Sequence, residues 1–107
     1  MLIEVKNVKI EIYTPEEYVE VLRNGLNEIG ACHVGVYDHV ISWHDTKGNW
    51  RPLEDSNPFS GEKGKICFGT EVKVELRCPI EILEKAVTVI RRIHPYEEPV
   101  INVIPLL

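Results

Sequence analysis

Two stretches of alternating apolar and polar residues lie 64 positions apart in this chain. Residues 8–13 read VKIEIY and residues 72–77 read VKVELR. In both stretches apolar side chains alternate with a lysine and a glutamate. A period of two is typical of a strand that has one face on a core and the other face polar. The sequence therefore predicts two strands that are copies of each other.

A stretch with helical spacing follows each of these strands. The apolar positions of the first are Tyr18, Leu22, Leu26 and Ile29, and those of the second are Leu83, Ala86, Val87, Ile90 and Ile93. This spacing predicts two amphipathic helices, of which the first ends at Gly30 and the second before Pro95. Thr14 is expected to cap the first helix, with Pro15 at its first position and Glu17 completing a capping box.

Two further strands complete the pattern. Residues 31–43 are predicted as the second strand and residues 99–105 as the fourth, which gives the order β-α-β twice. This order is the α+β, ferredoxin-like arrangement, with a four-stranded antiparallel sheet and both helices on one face. We expect residues 1–107 to form one domain, with a long connection at about 44–65 that carries function or contributes to assembly.

The sheet face without helices is expected to need a cover. In a regular second strand, Val34, Val36 and Val40 would face the core, and Tyr37 and Trp43 would lie on the opposite face. An open face with such aromatic side chains is too apolar for water. This pattern predicts a homo-oligomer whose sheets face one another.

Composition and charge exclude several classes of protein. The chain is 44% hydrophobic and 27% charged, with a net charge of -5 and no basic stretch, so that neither a disordered chain nor a nucleic-acid-binding protein is indicated. We expect no membrane association, because no apolar run has the length of a span or the form of a signal peptide. Cys32, Cys67 and Cys78 have no metal-site spacing and favour reduced thiols in the cytoplasm.

The histidines suggest a metal site, but the predicted strand argues against it. His33 and His39 would lie about 20 Å apart on one strand face, too far to share an ion. Asp38 would point away from His39 unless a bulge intervenes. A second arrangement would bring His39 together with His94 and with Glu97 or Glu98. The favoured alternative is that the histidines are hydrogen-bonded surface or interface residues.

Residues 94–99, HPYEEP, concentrate the remaining candidate chemistry. His94 is expected as an imidazolium at the end of the second helix, where it meets the helix dipole, and Tyr96 is expected to pack. Glu97 and Glu98 are neighbours, so an extended segment would point them to opposite sides and prevent their use as a catalytic pair. The chain has no nucleophile motif and no phosphate-binding glycine run. The two glutamates therefore stand as ligand candidates.

Three longer stretches resemble a known family. GVYDHV (35–40), RPLEDSNPFSGEKGK (51–65) and HPYEEPVINVIPL (94–106) are similar to the small domain inserted into the YqfO-like dinuclear-metal-centre hexameric proteins, and HPYE-x-P also resembles the end of CutA. The resemblance implies a stand-alone PII/CutA-like domain that assembles as a trimer through its sheets. Val36 and Val40 replace the Asn and Cys that this family usually has. No metallohydrolase activity is implied, because the family's metal ligands lie in a flanking domain.

The resulting hypothesis is a non-enzymatic, trimeric module that senses a small ligand or a metal. The candidate ligand-binding residues are Tyr37, Asp38, His39, His94, Tyr96, Glu97 and Glu98. They would line a cleft between subunits, with the 44–65 connection as a lid, and a divalent metal would use His39 and His94. No other cofactor is expected. The alternatives are a structural or protein-interaction module and a small metal-dependent enzyme.

Overall fold

The chain folds around one four-stranded antiparallel sheet. The computed structural model describes residues 3–107. Its elements are β1 (Asn7–Thr14), α1 (Val19–Glu28), β2 (Ser42–Trp50), β3 (Cys67–Pro79), α2 (Leu83–Ile93) and β4 (Ile101–Leu106), with a short 3-10 turn before each helix. The strand order is β2-β3-β1-β4. The predicted α+β, ferredoxin-like class is confirmed.

The core lies between the two helices and one face of the central strands. Its buried members include Val8, Ile10, Ile12, Val72, Val74 and Leu76 from β1 and β3, and Leu22, Leu26, Ala86 and Ile90 from the helices. Each of the Val, Leu and Ile side chains among them contributes about 1.5–3 kcal/mol by leaving water. The alternation that predicted β1 and β3 is therefore the alternation that builds the core.

The internal repeat is also a structural symmetry. Glu11 pairs directly with Glu75, which is its equivalent 64 residues later. Two facing glutamates repel each other, but the Nζ atom of Lys9 lies 3.2 Å from Glu11 and 3.3 Å from Glu75, and Lys73 lies 3.1 Å from Glu11. The hydrogen bond from Lys73 is the main reason why the pKa of Glu11 is lowered. The centre of the helix-free face is thus a charged network.

The predicted apolar character of this face is wrong. Trp43 pairs with Val74 and so lies on the side of the core, and Ile41 packs against the core. Val34, Val36 and Val40, which were expected to be buried, are exposed, Val36 to 94%. These residues lie in a segment that is not a strand, so their side chains do not alternate between two sheet faces.

The second strand lies further along the chain than predicted. Residues 31–41 contain no regular strand, and β2 begins at Ser42. Cys32 and His39 have positive φ angles of 65° and 56°, which interrupt extended backbone. The strand that forms, SWHDTKGNW, is polar and mostly exposed, so hydrophobic periodicity gave no signal for it. The connection between the halves is accordingly residues 51–66, not 44–65.

The helix ends differ in how well they follow the sequence. Thr14 belongs to β1 and does not cap α1. Pro15 precedes the 3-10 turn, and no side chain caps the 3-10 turn or α1, so the predicted capping box does not form. The predicted end at Gly30 is confirmed, with a φ angle of 103°. The N–H groups of Gly30 and Ala31 donate to the carbonyls of Asn27 and Leu26, both at 3.1 Å. This pair of bonds is the Schellman motif.

We expect Gly30→Ala to lower the free energy of unfolding by about 1–2 kcal/mol, because a Cβ atom is disfavoured in left-handed backbone. Gly48→Ala is the control, since Gly48 has no positive φ and a Cβ atom there would meet nothing within 4 Å. It should leave stability unchanged or raise it. Urea unfolding measures both variants, and equal losses in the two would contradict the assignment.

Candidate ligand-binding cleft

A difference in strand length opens space at one end of the sheet. β1 ends at Thr14, which pairs with Val72, whereas β3 begins at Cys67. From Cys67 to Glu71, β3 pairs with β2 alone. Pro15 follows β1 and has no N–H group to continue the ladder. The β2–β3 hairpin therefore projects beyond the end of β1.

His94 anchors residues 94–100 across the end of β1. Its N–H group makes the last bond of α2, to Ile90 at 2.8 Å, and its backbone is extended, as expected before Pro95. Its Nε2 atom donates to the carbonyl of Tyr13 at 2.6 Å, and its Nδ1 atom accepts from the N–H of Tyr96 at 3.1 Å. Because Nδ1 accepts, the ring is neutral.

The expectation that His94 is an imidazolium is therefore wrong. The ring is buried, and burial lowers the pKa of His94. A hydrogen bond occupies each ring nitrogen, so His94 cannot bind a metal without losing one of them. Its role in the structure is to position the residues that follow.

Tyr96 connects this segment to the projecting hairpin. Its hydroxyl donates to Glu71 Oε2 at 2.9 Å. Its ring lies 4.7 Å from the ring of His94 and 5.8 Å from that of Phe59. Burial, together with the carboxylate of Glu71, raises the pKa of Tyr96, so the phenol stays a hydrogen-bond donor.

Glu97 connects the same segment to the 51–66 connection. Its Oε2 atom accepts from the N–H of Asn57 at 2.7 Å. At the end of β2, Trp50 donates from Nε1 to the carbonyl of Ser60 in the connection, at 3.1 Å. A Cβ atom on Gly61 would lie 2.8 Å from Cys67 Sγ and 2.9 Å from Trp50 Nε1, so only glycine fits there. These contacts give the connection a defined position.

The hairpin, the connection and residues 94–100 enclose an open cleft of about 560 Å³. This volume is typical of small-molecule sites. Its aromatic lining is Trp50, Phe59, Phe68 and Tyr96, and its charged lining is Arg51, Glu71, Glu97 and Glu98. Glu97 and Glu98 were expected on opposite sides, but residues 96–98 bend and both line the cleft.

The other candidate residues lie at the opposite end of the sheet. The loop that contains Tyr37, Asp38 and His39 starts beside Arg77, whose carbonyl accepts from Cys32 at 3.2 Å. Arg77 pairs with Lys9, whereas His94 contacts Tyr13. Four residues of strand, about 13 Å, separate Lys9 from Tyr13. The structure therefore does not bring His39 and His94 together in one chain.

Metal ligands are not clustered in either place. Across residues 3–107, no group of three or more His, Cys, Asp or Glu side chains could hold a metal ion. Asp38 accepts from His39 Nδ1 at 2.9 Å, and this bond is the main reason why the pKa of Asp38 is lowered.

Among the helices of the described part of the chain, none is long and apolar enough to cross a membrane.

The chain is similar to one part of larger proteins. A Bacillus subtilis protein described as a GTP cyclohydrolase 1 type 2 homolog is 33% identical over 92% of this chain, which covers 26% of that protein. A Bacillus cereus protein related to NIF3 superposes with a TM-score of 0.81 and 27% identity over 98% of this chain and 27% of its own. The resemblance to the NIF3-related, YqfO-like proteins is confirmed. The chain spans about a quarter of the length of these relatives.

The fold is also that of CutA and the PII-like proteins. The periplasmic divalent cation tolerance protein CutA from Archaeoglobus fulgidus superposes with a TM-score of 0.69 and 20% identity over 94% of this chain and 83% of its own. GlnK of Bacillus subtilis superposes with a TM-score of 0.65 and 16% identity over 94% and 85%. At these identities the likeness concerns the fold alone. No protein-family model matches the chain.

Among the residues that line the cleft, the sequence pattern indicated only Tyr96, Glu97 and Glu98 as ligand candidates. Phe68 and Glu71 lie on the projecting part of β3 and were not identified as candidates. One sequence signal for this part of the cleft exists: an aromatic residue lies near each strand end that borders the long connection, namely Trp50 and Phe68. This signal indicates a site only when β2 is known to end at Trp50.

We expect acid to destabilise the protein through His94. Its folded pKa is lowered, so the unfolded chain binds the proton first and stability is lost as the pH falls below about 6.5. The free energy of unfolding, measured between about pH 7.5 and 5.5, should fall less steeply in His94→Gln than in the wild type. His44→Gln, at an exposed histidine of β2, should keep the wild-type slope. An unchanged slope in His94→Gln would refute the burial argument.

Proposed function

We propose that this chain is a non-enzymatic sensing or regulatory module of a homotrimer, and that a small ligand binds in the cleft beside residues 94–100. The observation that carries the proposal is the pair of contacts from the cleft wall to the 51–66 connection, Glu97 to Asn57 and Tyr96 to Phe59. A ligand that displaces or strengthens either contact changes the position of the connection. Binding is thus linked to a surface that a partner can recognise.

The charges of the cleft restrict the ligand. Three carboxylates, on Glu71, Glu97 and Glu98, face one guanidinium, on Arg51. A free polyanion such as a nucleotide would be repelled, whereas a neutral or cationic molecule, or a nucleotide bound together with a divalent metal, fits this balance. The aromatic side chains supply the apolar contact area that small-molecule sites use.

The trimer is supported by the resemblance to CutA and the PII-like proteins. The helix-free face presents the charged network of Lys9, Glu11, Lys73 and Glu75 at its centre and Ile104 on β4. We place the ligand site within one subunit, at the end of the sheet, rather than between subunits as the sequence suggested.

Residues 1–107 act as one domain, and the three free cysteines fit a cytoplasmic location.

Two observations bear on the enzyme hypothesis. Burial raises the pKa of Cys32 to about 11 and also raises the pKa of Cys78, so neither thiol is an activated nucleophile. The relatives named for GTP cyclohydrolase are about three and a half times as long as this chain, which covers 26% of the Bacillus subtilis protein. A small metal-dependent enzyme is therefore the third hypothesis rather than the first.

A structural or protein-interaction module is the second candidate. Large apolar side chains in the connection and at the start of β3 are exposed and favour it, namely Leu53, Phe59, Ile66 and Phe68. Exposed apolar surface of this kind is typical of a protein contact where it is contiguous, as it is for Phe59 and Phe68 in the cleft. In that case the cleft would be filled by a partner's side chain and no small molecule would stabilise the isolated chain.

We expect a ligand of the cleft to raise the melting temperature of the chain in a thermal-shift screen of nucleotides, each with and without Mg²⁺, and of divalent metals alone. A ligand at a hundred times its Kd adds about 2.7 kcal/mol to the free energy of unfolding. The double variant Glu97→Gln with Glu98→Gln should lose this shift, because both carboxylates line the cleft. Sedimentation should still give a trimer.

The matched control is Glu81→Gln with Glu84→Gln, which changes two exposed glutamates outside the cleft lining. It has the same net charge as the Glu97 and Glu98 double variant. This control should keep the full shift. If the Glu97 and Glu98 variant sediments as a monomer, the carboxylates serve assembly, and if it keeps the shift, the ligand binds elsewhere. Either result would exclude the proposed site.

A further inference from the structure

The loop at the other end of the sheet brings two histidines together. The carbonyl of Cys32 accepts from the N–H of Val40 at 2.9 Å, and Val34 and Tyr37 exchange two further bonds at 2.9 Å. Between these two sets of hydrogen bonds, one segment of the loop contributes His33, and the facing segment contributes Asp38 and His39. Two residues opposite one is the arrangement of a β-bulge.

This closure removes the objection to a shared site. His33 and His39 were expected about 20 Å apart along a strand. In the folded-back loop they lie on facing segments, and Cα atoms that face each other across such a pair are about 5 Å apart. The backbone hydrogen bonds on either side therefore hold His33 and His39 on facing segments of one loop.

Hydrogen bonds determine which nitrogen of each ring is free. His33 Nδ1 lies 2.7 Å from the carbonyl of Ala31, and His39 Nδ1 lies 2.9 Å from Asp38 Oδ1. A carbonyl and an ionised carboxylate can only accept, so both Nδ1 atoms carry the proton. The lone pair of each neutral ring is therefore on Nε2. Metal-binding histidines have this same pattern, with the second ring nitrogen donating to a carboxylate or carbonyl.

The backbone of the loop is tied to the rigid part of the fold. The N–H of His39 donates to Asn27 Oδ1 at 2.8 Å, which connects the loop to α1. The N–H of Cys32 donates to Arg77, which connects it to β3. His39 keeps a φ angle of 56°, unfavourable for a side chain with a Cβ atom. The position of the ring is thus set by its surroundings.

We propose that His33 and His39 bind one borderline divalent cation, of the type of Zn²⁺, Ni²⁺ or Cu²⁺, through their Nε2 atoms, with water in the remaining positions. Imidazole suits these ions. Within residues 3–107 no third side chain completes the site, so its affinity is modest and its open positions are available to another ligand. The site is independent of the cleft.

The other two histidines differ in ways that make them controls. His94 uses both ring nitrogens inside the protein. His44 is exposed on β2, where it pairs with Lys73, and a neighbouring positive charge opposes a metal cation. His44→Gln therefore removes an exposed histidine without touching the proposed site.

The test is calorimetric titration of the full chain with Zn²⁺ at about pH 7.5. We expect one ion per chain in the wild type and in His44→Gln, with affinities equal within about twofold. His33→Gln and His39→Gln should each weaken binding at least about tenfold, because the loss of a residue that merely orients a metal ligand already costs about that much. The proposal is overturned if the wild type does not bind, if His44→Gln loses as much, or if either ligand variant binds like the wild type.

A second readout covers variants that do not fold. Long-range proton–nitrogen spectra of the wild type should show protons on Nδ1 of His33 and His39, and Zn²⁺ should shift their Nε2 signals but not those of His44 and His94. Shifts at His44 or His94 instead would reject the site. Asp38 is a positioning residue, so Asp38→Ala should move the His39 proton toward Nε2 and weaken binding, and Asp38→Glu should restore both.

Discussion

The antiparallel pairing of β1 with β3 determines where every functional group of this protein lies. It is centred on Glu11 and Glu75, two equivalent positions of the internal repeat, and Lys9 and Lys73 neutralise their repulsion. Because the pairing is antiparallel, equivalent parts of the two halves point in opposite directions. The helix-to-strand junction of each half therefore lies at a different end of the sheet.

The two junctions have the same place in the repeat and different chemistry. In the second half His94 is neutral and buried, and Tyr96 and Glu97 extend to the projecting hairpin and its connection. In the first half the chain folds back on itself and leaves His33 and His39 exposed with free Nε2 atoms. One fold thus offers an acidic, aromatic cleft at one end and a pair of imidazoles at the other.

The sequence predicts what depends on local periodicity. β1, β3 and both helices follow from repeated apolar spacing, and Gly30 and Pro95 give the helix ends. β2 escaped prediction because its nine residues are almost all exposed, and the positive φ angles of Cys32 and His39 have no sequence signal. The bonds of Tyr96 to Glu71 and of Glu97 to Asn57 join residues 25 and 40 positions apart, and only the folded sheet brings these together.

The central claim is that residues 94–100 control the position of the 51–66 connection through Glu97. Hydrogen–deuterium exchange of the full chain, read by mass spectrometry, tests it without any ligand. Glu97→Ala removes the acceptor of the Asn57 N–H group, and we predict faster exchange confined to residues 51–66, with no change in Glu98→Ala. Equal exchange in the two variants, or faster exchange at residues 31–41, would contradict the claim.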